Sequence, residues 1–61
     1  MPAFTIGDFI VELLGARAPA FGVVTDIHEG ELISVRYPAG TFYSFASECL
    51  QYRDWLDEQG F

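Results

Sequence analysis

Glycine recurs at positions 7, 15, 22, 30 and 40, and the stretches between are runs of β-branched and aromatic residues. Turn signals at intervals of seven to ten residues mark short antiparallel strands in a sandwich or barrel. The chain has 61 residues, room for one domain and one core. An all-β fold of about five short strands is therefore expected.

Asp8–Leu14 is rich in β-branched and aromatic residues and reads as strand one. Residues 15–21, with a glycine, a proline and three alanines, suit a surface loop. Gly22–His28 reads as strand two, and Glu29-Gly30 as a two-residue hairpin turn. In Glu31–Tyr37, strand three, Ile33, Val35 and Tyr37 alternate with Ser34 and Arg36, giving one buried and one wet face. Pro38-Ala39-Gly40 reverses the chain into strand four, Thr41–Phe45, and Ala46–Cys49 reads as a single tight helical turn.

Two readings compete at the C-terminus. Ala46–Gln59 holds good helix formers, and Gly60-Phe61 resembles a helix C-cap with its apolar contact. One continuous helix would place Asp57 and Glu58 at the negative end of its dipole. The favoured reading is a strand over Leu50–Arg53 that closes a barrel, then a short helical or frayed tail from Asp54 onward.

Half of the residues, 51%, are hydrophobic, which excludes a disordered chain. The single cysteine, Cys49, leaves no partner for an internal disulfide or a zinc knuckle. No basic segment followed by an apolar run opens the chain, so cytoplasmic residence is expected. Nine acids face Arg17, Arg36 and Arg53, with no lysine, for a net charge of −6. Such a surface repels phosphate backbones and anionic membranes, so neither nucleic acid nor membrane is an expected partner. The charge serves either solubility or a specific partner.

Gly7-Asp8 opening a strand, Gly22-x-Val24-x-x-Ile27, the Val-Arg-Tyr-Pro-x-Gly turn at Val35–Gly40 and an aromatic strand ending near Leu50 together resemble the small bacterial and phage SH3-like β-barrels. The resemblance covers about Thr5–Tyr52. It implies one five-stranded SH3-like barrel domain over residues 1–61, with its core at about 5–53 and a tail at 54–61. Members include ribosomal and transcription-factor modules, adaptor domains, subunits of larger enzymes and a plasmid-borne dihydrofolate reductase. That reductase depends on a Val-Gln-Ile-Tyr motif in its fourth strand, where this chain has Thr41-Phe42-Tyr43-Ser44-Phe45, so the activity does not carry over.

The residues themselves supply no catalytic constellation, and neither cofactor nor metal is expected. Asp26 and His28 lie two apart on one strand face and have metal-ligand chemistry, yet with Glu29 and Glu31 they equally make an ordinary polar hairpin tip. Cys49 with His28 has the chemistry of a nucleophile and base. A cysteine between Glu48 and Leu50 reads instead as a small core residue whose pKa the nearby carboxylate raises.

The aromatic excess is more informative. Six Phe, three Tyr and one Trp exceed what a small barrel encloses, and adjacent Phe42 and Tyr43 must point to opposite faces. Exposed rings beside arginine are the usual make-up of a protein-binding hot spot. Tyr37, Phe42, Tyr43, Tyr52 and Trp55, with Arg36 and Arg53, are the candidate partner-binding residues. The alternative is that loop and tail fold over the rings and cover them.

Three functions follow. The first is a non-catalytic protein-interaction module with an aromatic face, self-associating or docked on a larger assembly as a homo-oligomer or with an obligate partner. The second is an acidic phage-type inhibitor that occupies a basic nucleic-acid site on a host protein, favoured if Glu48, Asp54, Asp57 and Glu58 gather at one end. The third is an accessory subunit of an enzyme complex.

Overall fold

The computed structural model describes residues 4–13 and 19–60. Five strands and one short helix follow in chain order: β1 (Phe9–Glu12), β2 (Ala20–Ile27), β3 (Leu32–Tyr37), β4 (Gly40–Phe45), a 3-10 turn (Ala46–Glu48), β5 (Cys49–Gln51) and α1 (Tyr52–Glu58). The strands form one antiparallel sheet in the order β4-β3-β2-β1-β5. The sheet is open, with β4 and β5 as its edges: β5 pairs with β1, and the 3-10 turn carries the chain between the edges.

Several boundaries differ from the sequence reading. Ala20 and Phe21, expected in a loop, belong to β2, where they oppose Glu12 and Val11. Residues 15–18 of that expected loop, with Arg17, lie outside the described residues, as does Leu14 of the expected first strand. The β2–β3 connection is one residue longer than a two-residue turn. The His28 N–H donates to the Leu32 carbonyl at 2.9 Å and encloses Glu29-Gly30-Glu31, with Gly30 at φ +71°. At the next reversal Gly40 already stands opposite Tyr37, leaving Pro38-Ala39 as the turn.

The pleat assigns every strand residue to one of two faces. Ile10, Val24, Ile33 and Val35 point to the core face and pack with Phe4, with Ala46 of the 3-10 turn and with Cys49 of β5. Phe9, Val11, Phe21, Val23 and Arg36 take the outer face, since Phe9 opposes Val23, Val23 opposes Arg36, and Val11 opposes Phe21. Val11 is nonetheless fully buried. The reason is α1, which packs against β1 and β5 and sets Tyr52 and Trp55 against Phe21. At Ile10 and Val11 strand β1 is thus covered on both faces, while Phe9 on its outer face stays exposed.

The C-terminus resolves the competition between helix and strand by using both. The ladder to β1 ends at Gln51, and α1 begins at once with Tyr52, two residues ahead of the expected tail. Asp57 and Glu58 do sit at the C-terminal end of the helix. An unfavourable charge there costs about 0.3–1 kcal/mol. Aromatic pairs contribute about 0.5–1.5 kcal/mol each beyond the area they bury, so the ring contacts among Phe21, Tyr52 and Trp55 offset the dipole cost.

Candidate functional site

A polar network on the core face decides which aromatic is not free. Glu12 and Tyr37 come from β1 and β3, and Ser44 from β4. The Tyr37 hydroxyl donates to Glu12 Oε1 in a short hydrogen bond and lies 2.9 Å from Ser44 Oγ, which donates to the same carboxylate oxygen at 2.9 Å. Ser44 is buried, and no buried side-chain polar atom among the described residues lacks a partner. Burial first, and the Glu12 hydrogen bond second, push the Tyr37 phenol well above its ordinary range. Tyr37 is therefore fastened at its tip, and only the body of its ring is available to a partner.

The outer face carries a groove of about 870 Å³. Val23 lies along it, Phe9 and Arg36 flank Val23 as its register partners, and Phe21 and Tyr52 stand on the helix side. Phe9 is 67% exposed. Phe21 meets Tyr52 at 5.9 Å and Trp55 at 5.2 Å, both edge to face, and Tyr52 and Trp55 stack at 6.0 Å. Edge-to-face and offset rings at these separations are mutually attractive, so the three rings form a contiguous aromatic wall to the groove. Arg36 supplies an exposed guanidinium at the opposite side.

The seven residues named from sequence do not form one patch. Arg36 and Tyr52 line the groove and half-buried Trp55 backs its wall, whereas Tyr37 borders the groove with its ring packed on the core face. Arg53 is exposed beside a second hollow, lined also by Asp8, Asp54 and Asp57. Tyr43 lies on the outer face of β4 with its ring edge-on to His28 at 5.4 Å. Phe42 points to the other face, 6.2 Å from the Tyr37 ring. Phe9 and Phe21 were not among the seven although they flank the groove. In strand one the phase of Phe9, Val11 and Leu13 is wholly apolar and the other carries Asp8 and Glu12, so its alternation points Phe9 inward, whereas the structure leaves Phe9 exposed.

The polar candidates separate as well. His28 Nε2 lies 2.8 Å from Ser34 Oγ, while Asp26 accepts the Ile27 N–H at 2.9 Å. Among the described residues no three of His, Cys, Asp and Glu gather as a metal site. Cys49 is buried in β5 opposite Glu12, and its thiol is pushed up to about 11 by burial, then by the charges of Glu12 and Glu48. No helix among the described residues is long and apolar enough to cross a membrane. The four acids expected at one end divide between two hollows: Asp54 and Asp57 line one with Asp8 and Arg53, and Glu48 and Glu58 line another with Glu12. Comparison with protein-family models, with curated proteins and with solved structures finds no match for this chain.

Proposed function

We propose that this chain is a non-catalytic protein-interaction module of the SH3-like barrel type, resident in the cytoplasm, that holds a protein partner in its outer-face groove. The observation that carries this reading is the exposed aromatic and arginine lining of one concave strip: Phe9, Phe21, Tyr52 and Arg36 around Val23. Aromatic residues and arginine dominate the energetics of protein interfaces, and a preformed wall reduces the ordering cost of binding. The barrel description rests on the turn pattern and on a core gathered at one face of a five-stranded sheet whose edges are bridged by a 3-10 turn. The test is capture from the native host with the wild-type chain, Phe9→Ser and Tyr43→Lys as baits, followed by mass spectrometry. A protein retained by wild type and Tyr43→Lys but lost with Phe9→Ser supports the reading. Equal retention by all three refutes it.

The acids around α1 favour one second reading, an acidic inhibitor of a basic nucleic-acid-binding protein. Binding would then weaken steeply as salt rises, and reversing charge at Asp54 and Asp57 would slow association. Salt-independent binding removes this second reading.

A further inference from the structure

We propose that β4 is a pairing edge whose occupant is a second copy of this chain, joined antiparallel about Tyr43 so that the two sheets run on as one. This surface is separate from the groove and stands or falls independently of it. An edge strand offers a row of unpaired N–H and C=O groups, and proteins guard such edges with lysine, proline, inward charge or a bulge. Gly40–Phe45 has none of these: it contains no charged residue and no proline, and its register with β3 is unbroken. The other edge, β5, is three residues long and turns directly into α1. Instead of guards, β4 carries exposed rings, with Tyr43 at 69%, Phe45 at 55% and Phe42 at 54% exposure.

Charge selects the occupant. The chain carries −6, yet Pro38–Ser47 holds no acidic or basic residue. Two copies repel each other wherever their acids approach, and this stretch lets their backbones meet without opposing like charges. A basic partner would find no carboxylate on the strand, and an acidic one no cation. The outer-face row is self-complementary: with Tyr43 opposite the copy's Tyr43, each Phe45 falls opposite the copy's Thr41. Aromatic–aromatic and aromatic–β-branched pairs are favourable cross-strand neighbours. On the other face Phe42 falls opposite the copy's Ser44.

The experiment is sedimentation equilibrium of the full chain from about 10 μM to about 1 mM, with Thr41→Lys, Tyr43→Lys, Tyr43→Phe and Phe9→Ser beside wild type. Wild type is expected to dimerise reversibly, more tightly as salt screens the net charge. Tyr43→Phe and Phe9→Ser should keep the dimer. Tyr43→Lys should raise the dissociation constant at least about tenfold while its thermal midpoint shows a folded chain, since like charges then face each other across the axis, and Thr41→Lys should raise it too, since it sets a charge in place of the Thr41–Phe45 pair. Amides of residues 41–45 should exchange more slowly as concentration rises. A wild-type monomer at about 1 mM overturns the proposal. So does a dimer that survives both lysine variants, or one lost with Phe9→Ser and kept with Tyr43→Lys, which would place the copy in the groove.

Discussion

Replacing Gly22 with alanine is the sharpest test of how the sheet is packed. Gly22 stands opposite Ile10 in the middle of the core face. A Cβ built there would lie 2.5 Å from Val35 Cγ1, 2.9 Å from Tyr37 Cδ1 and 3.0 Å from the Arg36 carbonyl oxygen. Non-bonded carbons sit comfortably at about 3.5–4.0 Å, so β2 and β3 must separate by a substantial fraction of an ångström or the side chains must turn. Neither neighbour gives way easily. Val35 is fully buried and β-branched, hence stiff about χ1, and the Tyr37 hydroxyl is tied to Glu12 and Ser44. Overpacking of this kind costs about 1–3 kcal/mol, against a total stability of about 3–9 kcal/mol for a domain of 61 residues. A loss of that size lowers the thermal midpoint by about 4–24 °C. Urea and thermal unfolding followed by the fluorescence of Trp55, the only tryptophan, report it. Gly22→Ala combined with Val35→Ala should cost less than the sum of the two single changes, because removing Cγ1 relieves part of the clash. An unchanged or raised midpoint in Gly22→Ala would refute the close packing of β2 on β3, since alanine otherwise stabilises by about 0.4–1 kcal/mol through the unfolded chain.

Tyr37→Phe removes two hydrogen bonds from the buried network and should destabilise by about 1–3 kcal/mol, with Ser44→Ala less than additive upon it; strict additivity would show that the three groups do not act together. Cys49 should resist thiol reagents at pH 8 until denaturant unfolds the chain, and rapid labelling of the native protein would contradict its burial. Its folded pKa is raised to about 11, so the unfolded thiol ionises first: stability is level below the ordinary thiol pKa of 9.0 and falls as pH rises through about 11. Cys49→Ala should flatten that alkaline fall. Asp8 works with the opposite sign. Its carboxylate accepts from Gln51 Nε2 at 2.9 Å, the Thr5 N–H at 2.8 Å and the Thr5 hydroxyl at 2.9 Å, and these bonds lower its pKa below 3.8. The stability it adds is present above that pH and lost as pH falls through the folded value, so wild type and Asp8→Ala should converge in acid. A gap that stays constant from pH 6 to pH 2 would count against this role.

Local sequence determined the number and order of the strands. Glycine-bounded runs of β-branched and aromatic residues encode extended backbone and its reversals with little help from distant contacts, and in β3 strict alternation also identifies the buried face. The count of rings was sufficient to say that several must lie outside, and Tyr43, Phe42 and Phe9 do. Which rings share a surface was beyond local pattern. Phe9 and Arg36 are far apart in the chain and flank one groove only because antiparallel register sets Phe9 beside Val23 and Val23 beside Arg36. Tyr37, an alternating core position by sequence, is held by Glu12 from a strand it does not neighbour in the chain. The helix at Tyr52–Glu58 is the clearest case: its propensities and its charges point in opposite directions, and the outer face of β1 and β2, waiting to be covered, decides between them. Extended backbone is a local property of the chain, whereas pairing partners, register and the covering of a sheet face depend on contacts between residues far apart in sequence, and those exist only once the sheet has assembled.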